Sequence, residues 1–382
     1  MKLAAVLSLV ILTQGEEFSQ ANYLFTSDVY KECVKNEGGN LLVSPLSVEI
    51  VLALAQCGAR DETAREIQTA LHLASSDQKT AFKSVISGLK GGEHYSLHTA
   101  NKIYLHDNFS IRDDFKTIAT EMFQSEVENI DFSKTEAAGI INKWVEDQTN
   151  QKIKNLVRPE SLQNSPSVLV NALYFKARWA SKNFLKYPYL TKIFSKTATD
   201  QIESEFMIDI GGSYQLHEDK ELGARFLKAP FKGQDAHMVF VLPDAVDGLG
   251  RLEEQADKIF REHSFQPVII NVELPRFKIE STVNFKSILQ KLGVRKAFMN
   301  GEADFSGIAG KKGELVVGQV TQKSYIDVNK DGVEAAAATN LVFTLSGPPR
   351  TTKEFKANHP FLFYIQAKGV VLFAGRVVDP KY

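Results

Sequence analysis

Apolar residues recur every three or four positions through the first 157 residues and then give way to short unbroken runs. The first spacing lays one side of a helix against a core, and it predicts helices over 18–35, 46–57, 63–73, 112–123 and 137–157. Thr63 and Glu66 have the spacing of a capping box, and Ile141, Trp144, Val145 and Gln148 fall along one face of the last helix. The later runs, 168–175, 238–242, 268–274, 315–320, 361–365 and 370–374, read as buried strands, with Lys368-Gly369 closing a C-terminal hairpin and one more helix over 283–293. Helices first and strands afterwards predict an α+β domain rather than a regular α/β alternation.

One stretch departs from both patterns. From Val333 to Leu345 the residues alternate at period two: Val333, Ala335, Ala337, Thr339, Leu341, Phe343 and Leu345 on one face, Glu334, Asn340 and Thr344 on the other. The first face carries no charge and begins small, so it could enter a packed sheet without overpacking it. Ala335 to Ala338 prefer helix, in conflict with the surrounding alternation, as expected of a segment with two alternative states. The same pattern also suits a half-buried edge strand. The flanks favour the first reading: Gly332 is a hinge candidate, and Ser346-Gly347-Pro348-Pro349 cannot continue a ladder.

Composition narrows the function by exclusion. The chain has 382 residues and no linker, repeat or low-complexity tract, and 45 Lys+Arg against 46 Asp+Glu leave no electrostatic footprint for nucleic acid or an anionic membrane. Met1-Lys2 followed by the apolar block 3–12 and Thr13-Gln14-Gly15 has the layout of a secretory signal peptide over 1–15, giving a secreted, extracellular protein of 16–382. Cys33 and Cys57, the only cysteines, could form one bridge, but both sit in helical patterns as small buried hydrophobes. Asn108-Phe109-Ser110 is a glycosylation sequon. The run Asp327 to Gly332 matches the opening of a calcium-binding EF-hand loop, but Ala338 stands where a bidentate Glu belongs. No nucleophile elbow, zinc motif or phosphate loop appears, so no local signal asks for a metal, a cofactor or an enzymatic activity, although a triad can be assembled from residues far apart in a chain.

The alternating stretch and several ordered motifs resemble the serpins, the serine protease inhibitor superfamily. They are N-L-L-V-S-P-L-S at 40–47, I-N-K-W-V-E-D-Q-T-N-Q-K-I at 141–153, L-V-N-A-L-Y-F-K-A-R-W at 169–179, M-V-F-V-L-P at 238–243, D-G-V-E-A-A-A-A-T at 331–339 and F-K-A-N-H-P-F-L-F at 355–363. The resemblance implies a single domain of three β-sheets, one large and central, with eight or nine helices and an exposed reactive-centre loop at about 332–354. It also implies a suicide inhibitor: a target endopeptidase cleaves the loop, and the covalent acyl-enzyme is trapped when the freed segment inserts into the central sheet. Such an insertion adds a strand to a sheet and releases strain stored in the intact loop.

Mapped onto this chain, the hinge is Gly332, Val333, Glu334, Ala335, Ala336, Ala337, Ala338 and Thr339, and the region where the sheet opens includes Ser44, Ser47, Asn171, Trp179 and Gln322. The fourteenth residue past the hinge Gly is Ser346, which puts the reactive bond at Ser346-Gly347. A cut one residue earlier, Leu345-Ser346, makes Leu345 the specificity residue, with Phe343 upstream of it. Papain-like cysteine proteases of the cathepsin L type, reading Leu345 in a hydrophobic pocket, and chymotrypsin- or elastase-type serine proteases are the expected targets. Trypsin-like enzymes at Arg350 follow. A carrier, chaperone or storage role without inhibition is the alternative, and the small, uncharged residues at the inward positions of the hinge argue against it. The expected form is a monomer open to polymerisation. Two departures from the family stand out. Lys330 occupies a place usually held by Glu, where its basic neighbour Arg276 would repel it, and Gln322 stands where many members have His. Residues 75–95 show no dense basic cluster, so heparin activation is not expected.

Overall fold

The computed structural model describes residues 2–35, 37–73, 78–90, 94–163, 165–333 and 353–382, with side chains from Gly15 onward except at 78 and 90. The hinge from Glu334 to Thr339 and the proposed reactive bond, with Phe343, Leu345, Ser346, Gly347 and Arg350, lie outside these residues. The class is α+β. Ten α-helical segments are present among the described residues, two of them single turns at Pro159–Leu162 and Ala256–Ile259.

The predicted helices are found as Pro45–Gly58, Asp61–Ala70, Asp113–Phe123 and Glu136–Gln148, and the first of all is a continuous helix Lys2–Val34. Among the described residues no helix is long and apolar enough to cross a membrane. The pattern over 137–157 stops being helical at Gln148 because Asn150 and Gln151 both take positive φ, 51° and 62°. Ile153, Leu156 and Val157 then return to pack beside Ile141 and Val145 on the same cluster, which is why the periodicity outlives the helix. The helix over 283–293 shrinks to Lys286–Lys291, since Phe277–Asn284 is a strand. The capping box is not formed. Thr63 Oγ1 accepts from Asp304 N at 3.0 Å, and Glu66 accepts from Arg295 N and Lys296 N at 2.7 and 2.6 Å, capping the short 3-10 turn Lys296–Phe298 instead of its own helix.

Among the described residues the strands form two hydrogen-bonded networks, one of nine and one of six. The third sheet expected from the resemblance is merged with the nine-stranded network along Gln266–Pro275 and the longer strand it pairs with, Gln201–Asp219. Its first part pairs with Leu190–Ser195 and its last part with Ala224–Pro230, while Gln266–Pro275 runs along its other edge with a register shift between Asp209 and Gly212. A bulge of this kind turns a strand and lets it serve two sheets.

The six-stranded sheet lies between two cores. One face meets the main core, including the helix Pro45–Gly58; the other is covered by Glu136–Gln148 and the chain that follows it. Along the strand Ser167–Arg178, Leu169, Leu173 and Phe175 belong to the first core and Val168, Val170, Ala172 and Tyr174 to the second. Burial on both faces explains why this stretch reads as a continuous apolar run.

Candidate functional site: the gap between the central strands

Two strands of this sheet, Ser167–Arg178 and Gln319–Asn329, run parallel and pair from Val168↔Gln319 up to Tyr174↔Tyr325. Above that level they separate. Gly332–Val333 wedges between them, pairing antiparallel with both: Val333 opposite Val328 and Ala177, Gly332 opposite Asn329 and Arg178. Gly332 has φ +148°, and a Cβ on it would stand 2.0 Å from the Ala177 carbonyl oxygen, so only glycine fits the wedge. Trp179, at the top of its strand, donates from its backbone N to Asp331 O (3.1 Å) and from Nε1 to Asn329 O (2.8 Å), and its ring stacks on Phe231.

Lower down, a row of amides crosses the sheet. Asn101 and Gln322 are both in register with Asn171, so three adjacent strands each contribute one buried amide at the same level. Gln322 Nε2 donates across the gap to Asn171 Oδ1 at 2.6 Å and to Ser44 O at 2.8 Å, and Gln322 Oε1 accepts from Ser44 N at 2.8 Å. Asn171 Nδ2 lies 2.5 Å from Ser47 O and 2.8 Å from Asn101 Oδ1. Ser44 caps the helix Pro45–Gly58 and donates to Leu372 O at 2.7 Å. The network carries no formal charge, and it joins the two gap strands to the helix below them.

Of the five residues placed at the opening of the sheet from sequence, Ser44, Ser47, Asn171 and Gln322 converge in this network; Trp179 stands apart at the upper end. Asn101 completes the row and was not foreseen, because a polar residue in T-A-N-K gives no hint of a partner seventy positions away. Gln322 fills its place with both amide ends bonded.

On the opposite face, two buried lysines tie the cover to the sheet. Lys102 Nζ meets Glu126 and Glu128 at 2.7 and 2.5 Å and lies 4.9 Å from the centre of the Trp144 ring. Lys323 Nζ donates to Lys154 O at 2.7 Å, beyond the end of the cover helix, and pairs with Glu280 at 2.5 Å.

Other residues singled out from the sequence lie around this site and beyond it. Arg276 does not simply repel Lys330: it pairs with Glu205, and both cations rest against the Tyr189 ring. The EF-hand-like run is a strand end and tight turn whose oxygens are engaged internally. Asp327 accepts from Asn329 Nδ2 and Tyr382 Oη, and Asn329 Oδ1 from Asp331 N. Cys33 and Cys57 are free thiols, and burial pushes them up to about 12 and about 11, where they are unreactive. Asn108 lies exposed in the turn after the strand Tyr95–His106.

Two central strands thus part around Gly332–Val333, and this fold has recognised relatives. Residues 20–380 match the family Serpin (serine protease inhibitor), and the chain belongs to that family. It is 36% identical to antichymotrypsin-2 of Bombyx mori, over 92% of this chain and 95% of that one, and 36% identical to antitrypsin of the same organism, over 93% and 92%. Among solved structures, Serpin48, a highly specific serpin of the insect Tenebrio molitor, superposes with a TM-score of 0.90 at 46% identity, covering 96% of this chain and 99% of that one.

Proposed function

We propose that this serpin inhibits an endopeptidase as a suicide substrate, its cleaved loop entering the gap as a new strand. The observation that carries the reading is the double pairing of Val333. Continuing both antiparallel registers one residue at a time brings Ala335 opposite Ile326 and Phe175, Ala337 opposite Ser324 and Leu173, and Thr339 opposite Gln322 and Asn171. The two counts, taken from different strands, agree on every partner. Val333, Ala335, Ala337 and Thr339 then face the main core, where Phe175, Leu173 and Ile326 already lie. Methyl groups fit there and a charge would not. Thr339 arrives between the two amides whose mutual bond must open, offering a hydroxyl that both donates and accepts. Insertion replaces one parallel ladder by two antiparallel ones, a net gain of backbone hydrogen bonds.

The reactive bond is Ser346-Gly347, or Leu345-Ser346 with Leu345 read by the protease and Phe343 upstream. Papain-like (cathepsin L type) cysteine proteases and chymotrypsin- or elastase-type serine proteases share the first rank as targets. Two relatives of equal identity are named for chymotrypsin and for trypsin, so similarity along the chain does not choose the target and the loop sequence must. Residues 1–15 act as a signal peptide, with secretion and glycosylation at Asn108 following.

The test is to incubate the mature protein separately with cathepsin L, chymotrypsin, elastase and trypsin. A denaturant-stable adduct and a loop cut after Ser346 or Leu345 are expected. Cleavage by every enzyme without adduct would replace this reading by a non-inhibitory carrier, chaperone or storage serpin.

A further inference from the structure

At the mouth of the gap the chain places two cations where the family usually sets an acid against a base. Lys330 ends the strand Gln319–Asn329 and begins the turn into the hinge; Arg276 stands at the head of the neighbouring strand Phe277–Asn284. Their shared neighbour is Tyr189, half-buried, immediately before the edge strand Leu190–Ser195. Lys330 Nζ lies 4.5 Å from the centre of the Tyr189 ring and Arg276 Cζ 4.7 Å from it. Arg276 Cζ is also 3.9 Å from the centre of the Tyr382 ring, whose hydroxyl donates to Asp327. The π face of a neutral ring attracts a cation, so one ring can hold two like charges that would otherwise repel. Tyr189 also bonds the hinge backbone directly: its Oη accepts from Lys330 N at 3.3 Å, while Lys330 Nζ donates to Tyr187 O at 3.3 Å.

We propose that Tyr189 is the positioning residue of the hinge, fixing the turn 329–332 at the mouth of the gap and restraining entry of the uncleaved loop. The assignment deepens the inhibitory reading and rests on it for the consequence to inhibition, but not for the restraint itself. Three contacts meet in this side chain: its ring with Lys330, its ring with Arg276, and its hydroxyl with the backbone of the turn. Burial raises the phenol of Tyr189 above its ordinary value, so the ring stays un-ionised where proteases work. A Lys at position 330 therefore does not loosen this sheet, because the acid it replaces has an aromatic substitute.

The experiment compares Tyr189→Phe, which keeps the ring and loses the hydroxyl, with Tyr189→Leu, which fills much of the space and loses the π face, and Lys330→Met, which removes the cation and leaves Tyr189 in place. Hydrogen exchange is followed in the peptide covering the turn, alongside the half-life of adduct-forming capacity on incubation without protease. Tyr189→Leu is expected to speed exchange in the turn at least tenfold and shorten the half-life at least fivefold, Tyr189→Phe to change the half-life less than twofold. Tyr189→Leu combined with Lys330→Met should decay no faster than Tyr189→Leu alone. Exchange in the turn that is the same in the Leu and Phe variants, or effects of the Leu and Met changes that add in full, would overturn the assignment. Should Tyr189→Leu fail to fold, Lys330→Met carries the test: faster exchange in the turn supports the assignment and unchanged exchange overturns it. A wild type that forms no adduct while exchange responds as expected would refute the inhibitory reading and leave the hinge restraint standing.

Discussion

Glu49 lies in the middle of the helix Pro45–Gly58, 1% exposed, and the side chain that reaches it is Asn22, whose Nδ2 donates at 2.6 Å. Asn22 also accepts from Val371 N at 2.7 Å, so the acid closes a polar link between two helices and a strand. Burial pushes the Glu49 carboxyl up to about 8, against the bond from Asn22, which lowers it. In the unfolded chain the same group titrates near pH ~4.3. Between those values the folded state holds more protons, so the contribution of Glu49 is fully present below the unfolded pKa and is lost as pH rises through about 8. Glu49→Gln should flatten the decline in melting temperature from pH 5 to pH 8, and at pH 8 it should exceed wild type by a few kcal/mol, on the order of what a shift of several units implies. Thermal scans at three pH values check this; parallel wild-type and variant curves would contradict it. No sequence pattern distinguished this acid from a surface one, because its burial depends on where helix and strand meet.

At the scale of elements, the two gap strands are held together by a seven-pair ladder and, beneath it, by the Gln322–Asn171 bond. Asn171→Ala removes an acceptor from Gln322 and a donor from Ser47 and Asn101, leaving buried polar groups unpaired. The cost is about 1–3 kcal/mol for each group stranded, and urea unfolding should show a loss of roughly 2 kcal/mol or more. Because the Gln322–Asn171 bond has to open before a strand can enter the gap, polymer should also accumulate faster on mild heating, as native gels would show. Trp144→Ala, by contrast, removes one of the two rings against Lys102, leaving Tyr104, and loosens the cover, with faster loop entry and little change in the amide row. The helices and the strands buried on both faces were legible in the sequence, since burial writes its period directly into the residues. The strand Gln201–Asp219 was not: it serves two sheets and changes partners along its length, so its inward face shifts and no single period survives. Thr63 and Glu66 failed as a capping box for a related reason: their side chains had better partners in Asp304 and Lys296, more than two hundred residues away.

For the whole molecule, the prediction concerns a change of state. Cleavage in the loop should raise the melting temperature well above that of the intact protein, because a central strand with small inward residues completes the sheet. Thr339→Arg would bring an unpaired charge between Asn171 and Gln322, a burial that costs several kcal/mol. The variant should still be cut yet form no adduct and gain no stability, read by gel and by thermal scan. The family was legible in a set of ordered motifs, and the α+β class and the small, uncharged face of 333–339 were legible because they reside in local period, side-chain volume and charge. The seat proposed for that segment came only from the tertiary structure. The seat of the wedge between Ala177 and Val328, the row of amides it must part, and the tyrosine that reconciles Lys330 with Arg276 are each assembled from strands far apart in the chain. Partners brought together by long-range pairing leave no local pattern from which they can be read.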